Sequence, residues 1–182
     1  MKKSKKIISV NSTKLLFLYR MPFFKRVEFK TEKKELNEVV TALNIKNKKK
    51  RISYIYTETI KALNTYYKDD LCQFKNGQCI VQRNNKKGKV NGCCRFCPIV
   101  TDKGCPSENV SCKLIYCKTS IKNMKLIKLS DIPITKCLSI PKRVILKGDV
   151  FITKEEFIDD LCKGPIIYAI RTLKRDIKRN IK

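Results

Sequence analysis

Eight of the chain's ten cysteines fall between positions 72 and 117: Cys72, Cys79, Cys93, Cys94, Cys97, Cys105, Cys112 and Cys117. Their spacing is C-x6-C-x13-C-C-x2-C-x7-C-x6-C-x4-C. Thiolates bind a metal when short turns aim two sulfurs at one ion, and Cys94-Arg95-Phe96-Cys97 has the two-residue gap that does this. Cys72 with Cys79 and Cys112 with Cys117 are wider pairs that a loop can close. Eight thiolates suffice for two four-sulfur zinc sites, or for an iron–sulfur cluster with cysteines left over. The sequence holds no histidine, so imidazole ligands, Ser-His triads and histidine bases are excluded. Any ion is held by sulfur, alone or with a carboxylate. Sulfur-only closed sites leave no open position for substrate, so the expected metal is structural and an enzymatic role is disfavoured.

Two other uses of sulfur compete with this reading. A disulfide framework has a similar cysteine order in small secreted peptides. Against it stand the length of 182 residues and helical patterns on both flanks. Lys2, Lys3, Lys5 and Lys6 precede Ile7-Ile8-Ser9-Val10, but Asn11 to Lys14 break that apolar run and no small-residue cleavage site follows. No apolar stretch approaches the ~20 residues of a membrane helix. The expectation is a cytoplasmic protein with reduced thiols and no membrane partner. Simple packing of buried thiols is the other use, and it suits Cys137 and Cys162, which lie outside the cluster.

Asn91-Gly92-Cys93-Cys94-Arg95-Phe96-Cys97, then Gly104-Cys105, then Cys112-Lys113-Leu114-Ile115-Tyr116-Cys117 resembles bacterial zinc- or iron-chelating cysteine-cluster domains, mainly over residues 91–117. That resemblance implies Cys93, Cys94, Cys105 and Cys112 as ligands. Some cysteine-cluster relatives modify protein lysines, which keeps an iron–sulfur enzyme or redox sensor as an alternative.

The formal net charge is +26, which attracts polyanions, nucleic acid foremost. The candidate contacts are Lys48, Lys49, Lys50 and Arg51; Lys86, Lys87 and Lys89; and Arg171, Arg175 and Arg179. Zinc-stabilised loops that present lysines to phosphate make nucleic-acid binding the second alternative. The bland counterpart is compositional: lysine far outnumbers arginine, as a genome poor in G and C imposes. Tyr54, Tyr56, Tyr66 and Tyr67 could stack on bases, but helical spacing makes them core residues first. The acidic pairs Asp69-Asp70, Glu155-Glu156 and Asp159-Asp160 read as caps and solvated charge rather than acid–base machinery.

The elements that must position these groups follow from periodicity. Lys14 to Tyr19 and Arg26 to Lys30 read as strands, and Thr31 to Asn44 as a helix with Leu36, Val39, Val40 and Leu43 on one face. Lys46 to Arg51 reads as a basic linker, followed by a helix from Ile52 to Lys68. From Asp69 to about Ser120 periodicity vanishes among glycines and prolines, so that stretch needs a metal staple to fix it. Ile121 to Leu129 and Arg143 to Val150 read as strands or short connectors. Thr153 with Glu156 forms a capping box for a helix to Cys162. Lys163-Gly164-Pro165 ends it and starts another helix, with Ile166, Ala169, Ile170, Leu173 and Ile177 opposite Arg171, Lys174, Arg175, Lys178 and Arg179. The expected fold class is α+β, with helices packed around an irregular, loop-rich cysteine cluster. The expected regions are 1–51 (strands, helix and linker), 52–120 (helix and cluster) and 121–182 (short strands and helices), within one compact domain.

Overall fold

The computed structural model describes residues 6–14, 16, 26–67, 75, 76, 78, 83, 109–114, 126–149 and 152–180, the last three without their side chains. Two short strands, β1 (Lys6–Ser9) and β2 (Val27–Lys30), pair in parallel with Lys6 opposite Val27 and Ser9 opposite Lys30. The far edge of β2 is closed by a side chain. Asn44 accepts from the Phe29 amide (2.9 Å) and donates to the Phe29 carbonyl (2.8 Å), as a third strand would. Alternation of Val27 and Phe29 places both in the core.

A 3-10 turn over Lys34–Leu36 leads into α1 (Asn37–Asn44), which buries Val39, Ala42 and Leu43. The expected helix over 31–44 is therefore shorter at its start. The next helix is longer than its apolar pattern: α2 runs Lys48–Tyr66 and absorbs most of the expected basic linker. Asn47 caps it, its side chain accepting from the Lys50 amide (2.9 Å), and lysine and arginine are good helix formers. Ile52, Ile55, Tyr56, Thr59, Ile60 and Leu63 recur every three or four residues and form its buried face.

The remaining described helices are α3 (Val110–Leu114), α4 (Ile140–Ile145), α5 (Lys154–Lys163) and α6 (Pro165–Asn180). Two 3-10 turns, Leu129–Asp131 and Pro133–Cys137, precede α4. No strand forms over residues 126–129 or 143–149; Arg143 to Ile145 complete α4 instead. Pro141, in the first turn of α4, needs no amide partner there and starts the helix. The mixed α+β class thus holds, with a small two-stranded sheet beside many helices. The expected metal-stapled cluster, apart from Cys112, lies outside the described residues.

The buried apolar side chains form one cluster, from Val10 in the N-terminal segment to Leu161 in α5. At its centre α2 packs on α5, and α1 and the 133–137 turn pack on α2. Phe157 of α5 is fully buried and meets the Tyr56 ring at 5.7 Å between centroids. Thr153 caps α5, accepting from the Glu156 amide (3.3 Å), which is the Thr153 half of the expected capping box. Gly164 then turns the chain with φ +107°, a conformation that strains any residue with a Cβ, and Pro165 opens α6.

Helix α6 inverts the usual arrangement. It docks on the body through polar groups: Tyr168 donates to the Gly148 carbonyl (2.6 Å), and Arg171 and Arg175 reach Asp160 of α5. A Cβ on Gly148 would overlap the Tyr168 hydroxyl, so this approach requires glycine. Its apolar stripe faces outward, with Ile166 75% and Leu173 62% exposed. No helix among the described residues is long and apolar enough to cross a membrane.

Candidate metal centre

Three cysteines fall among the described residues. Cys137 is buried in the 133–137 turn with its sulfur 4.0 Å from the Val39 carbonyl, and Cys162 is half-buried against the core. Both behave as the small packing side chains expected of them. Cys112 differs: it sits in the middle of α3 and is exposed. The other candidate ligands, Cys72, Cys79, Cys93, Cys94, Cys97, Cys105 and Cys117, lie outside the described residues. Among the described residues no three acidic, cysteine or histidine side chains gather as a metal group.

Five residues make one turn of helix, too few to persist alone. What holds α3 is a buried aspartate from a distant part of the chain. Asp149 is wholly buried, and its carboxylate accepts from the amides of Val110 (2.7 Å) and Ser111 (2.8 Å). These are two of the orphan donors at the start of any helix, and a carboxylate there also meets the positive end of the peptide dipoles. The same carboxylate accepts from the Tyr56 hydroxyl of α2 (2.6 Å). Burial first, and the negative Asp149 second, push the Tyr56 phenol well above its ordinary pKa, so it stays a neutral donor. Asn109 completes the joint by donating to the Asp149 backbone carbonyl (2.6 Å). Three donors on one anion meet the condition under which a carboxylate can be buried at all.

The joint therefore fixes the backbone on which Cys112 stands, and it ties α3 to both α2 and the segment before α5. Periodicity and motif spacing do not point to Asp149, Asn109 or Tyr56 in this role. Asn109 ahead of Val110 is a recognisable helix-start residue. Nothing local connects it to Asp149, 40 positions later.

The basic candidates divide by environment. Lys48 and Lys50 are exposed at the start of α2 and take part in no salt bridge among the described residues. Lys49 stands 3.8 Å from Asp159 while remaining 66% exposed. Arg51 is half-buried and donates to the Ile45 carbonyl (3.3 Å). Arg171 and Arg175 are engaged by Asp160 at 2.6 and 3.0 Å, and Arg171 also reaches Asp159 at 3.4 Å. Their guanidinium groups hold the fold together, which leaves less of each for a phosphate. Lys86, Lys87, Lys89 and the Arg179 side chain lie outside the described residues. Of the tyrosines, Tyr56 and Tyr67 are buried, while Tyr66 is 40% exposed and meets Tyr67 edge-on at 4.9 Å.

Glu155 and Glu156 occupy the first turn of α5, where negative charge suits the helix start, and Asp159 and Asp160 are paired with cations. Asp69 and Asp70 lie outside the described residues. No family model, no curated protein and no solved structure matches this chain.

Proposed function

We propose that this chain is a cysteine-cluster metal-binding protein that holds zinc or an iron–sulfur centre through thiolates drawn from Cys72, Cys79, Cys93, Cys94, Cys97, Cys105, Cys112 and Cys117. The observation that carries the reading is the combination at Cys112. An exposed thiol from the densest cysteine segment stands on a one-turn helix that a buried carboxylate braces against the body. A ligand helps organise a metal only if its own backbone is held, because supporting hydrogen bonds orient the donor. The resemblance over residues 91–117 also includes Cys112 among the ligands. The metal is structural in this reading and fixes a turn-rich stretch that cannot bury a core of its own.

Anaerobic purification followed by metal analysis and an absorbance spectrum tests it. Stoichiometric zinc, or iron with sulfide and visible absorbance, is the expected result. Protein without metal, with its cluster thiols joined in disulfides, would refute it. Cys94→Ser and Cys97→Ser are expected to lower metal content and melting temperature together.

A second reading, a nucleic-acid-binding protein with structural zinc, rests on the +26 charge and on Lys48 and Lys50 standing exposed outside any salt bridge among the described residues. It requires affinity that falls steeply with salt, and a smaller salt slope in the Lys48→Ala/Lys50→Ala variant.

A further inference from the structure

A groove of about 750 Å³ opens between α3, the 126–130 segment and α4. Its walls are of two kinds. Leu126, Ile140 and Val144 line it while 47%, 69% and 66% exposed, so apolar surface faces water there. Lys128, Arg143 and Lys147 line it too, and the described lining contains no acidic residue. The neighbouring Asp131 turns its carboxylate back onto the Lys128 amide (3.0 Å). None of the three cations forms a salt bridge among the described residues, whereas Arg171, Arg175 and Lys163 each have an aspartate.

Two buried polar atoms on the groove's lining residues have no hydrogen-bond partner among the described residues: the Ser111 hydroxyl and the Nε–H of Arg143. Ser111 as a residue is 1% exposed. Buried polar groups almost always find a partner, and two orphans beside one groove mark where an acceptor belongs. An oxyanion in the groove balances the cations, and its oxygens would accept from these two donors once the atoms covering them shift. The exposed leucine, isoleucine and valine side chains call for hydrocarbon beside that anion. The volume lies within the range of small-molecule sites.

We propose that this groove binds a free small amphiphile, a single carboxylate on a hydrocarbon chain, with its head at Arg143, Ser111 and Lys147 and its chain along Ile140, Val144 and Leu126. The site is separate from the cysteine chemistry, though Ser111 adjoins Cys112 on α3. It stands or falls independently of the metal reading.

Calorimetric titration of the intact, reduced chain with decanoate tests this. Decanoate is expected to bind saturably at sub-millimolar concentration, with acetate and 1-decanol each about tenfold weaker or worse, since each lacks one half of the recognition. R143Q and V144S are expected to weaken decanoate about tenfold and several-fold, with unchanged circular dichroism. Arg143→Lys separates charge from geometry, because lysine keeps the charge and loses the Nε donor; an intermediate affinity is expected. Binding of acetate as tight as decanoate would mean only general attraction of anions to a basic protein and would overturn the proposal. So would full affinity in both R143Q and V144S. Preferential binding of an acidic helical peptide or of anionic lipid vesicles, with no saturation by decanoate, would assign the groove to a macromolecular partner instead and overturn it equally.

Discussion

Among the described residues two aspartates are wholly buried, and they are stabilised in opposite ways. Asp149 is surrounded by neutral donors: two backbone amides and one phenol. Asp160 faces two guanidinium groups, from Arg171 and Arg175. The neutral donors around Asp149 belong to rigid backbone and to a tyrosine locked in the core, so the site is preorganised and costs little side-chain entropy. The arginines around Asp160 are long, 39% and 25% exposed, and can return to water. Buried charge met by fixed dipoles makes a rigid joint; buried charge met by flexible cations makes a releasable one. The first joint holds the helix that carries Cys112. The second holds α6, whose apolar stripe faces outward.

Removing the Asp149 carboxylate is expected to have the largest effect. Asp149→Ala strands the Tyr56 hydroxyl and two helix-start amides, at a cost of about 3 kcal/mol or more. Urea denaturation measures the cost, and faster alkylation of Cys112 reports loosening of α3. Asp160→Ala comes next, at about 2 kcal/mol, because its partners can rehydrate where those of Asp149 cannot. It should release α6 with little change at α3, visible as amide exchange confined to residues 165–180. A larger loss for Asp160→Ala than for Asp149→Ala would reverse the comparison.

Tyr56→Phe removes one of three donors and keeps the ring against Phe157, so about 1 kcal/mol is expected in the same urea experiment. The smallest effect is one of pH. Asp159, beside Asp160, is held below its ordinary carboxylate pKa, chiefly by the hydrogen bond from Lys163. Burial acts against this, while the Lys163 charge, Arg171 and Lys49 add to the lowering. A depressed folded-state value means stability that is fully present above the unfolded pKa of about 4 and is lost as pH falls through the lower folded value. Melting curves from pH 6 down to about pH 2 should therefore fall less for Asp159→Asn than for the parent, and high salt should shrink the difference. Equal slopes in the two proteins would remove Asp159 from the second joint.

Periodicity in the sequence locates α1, the core face of α2, α5 with its Thr153 cap, and the boundary at Gly164-Pro165. Each depends on residues within one or two turns of each other, where spacing translates directly into a helix face. Strand β1 is not legible in the sequence, because four residues broken from further apolar pattern look like an irregular start. Residues 143–149, within the stretch expected as a strand or short connector, form the end of α4 and a turn rather than a strand. Alternation over so short an apolar run does not distinguish strand from helix, and Pro141 decides for the helix. The basic linker became the opening of α2 because charge says nothing against helix once Asn47 caps it.

For the candidate site, spacing singled out Cys112 with its fellow cysteines but could not say what holds it. Composition alone established that imidazole chemistry is absent, that sulfur is concentrated between Cys72 and Cys117, and that the chain is strongly cationic. Tertiary structure decided which charges are used internally and which face solvent. It turned Arg171 and Arg175 inward onto Asp160, left Lys48 and Lys50 outside, and brought Asp149 to the start of α3 from 39 positions away. The physical reason is range. Helix faces and caps arise from neighbours along the chain, whereas the partner of a buried charge is whichever donor packing delivers to it.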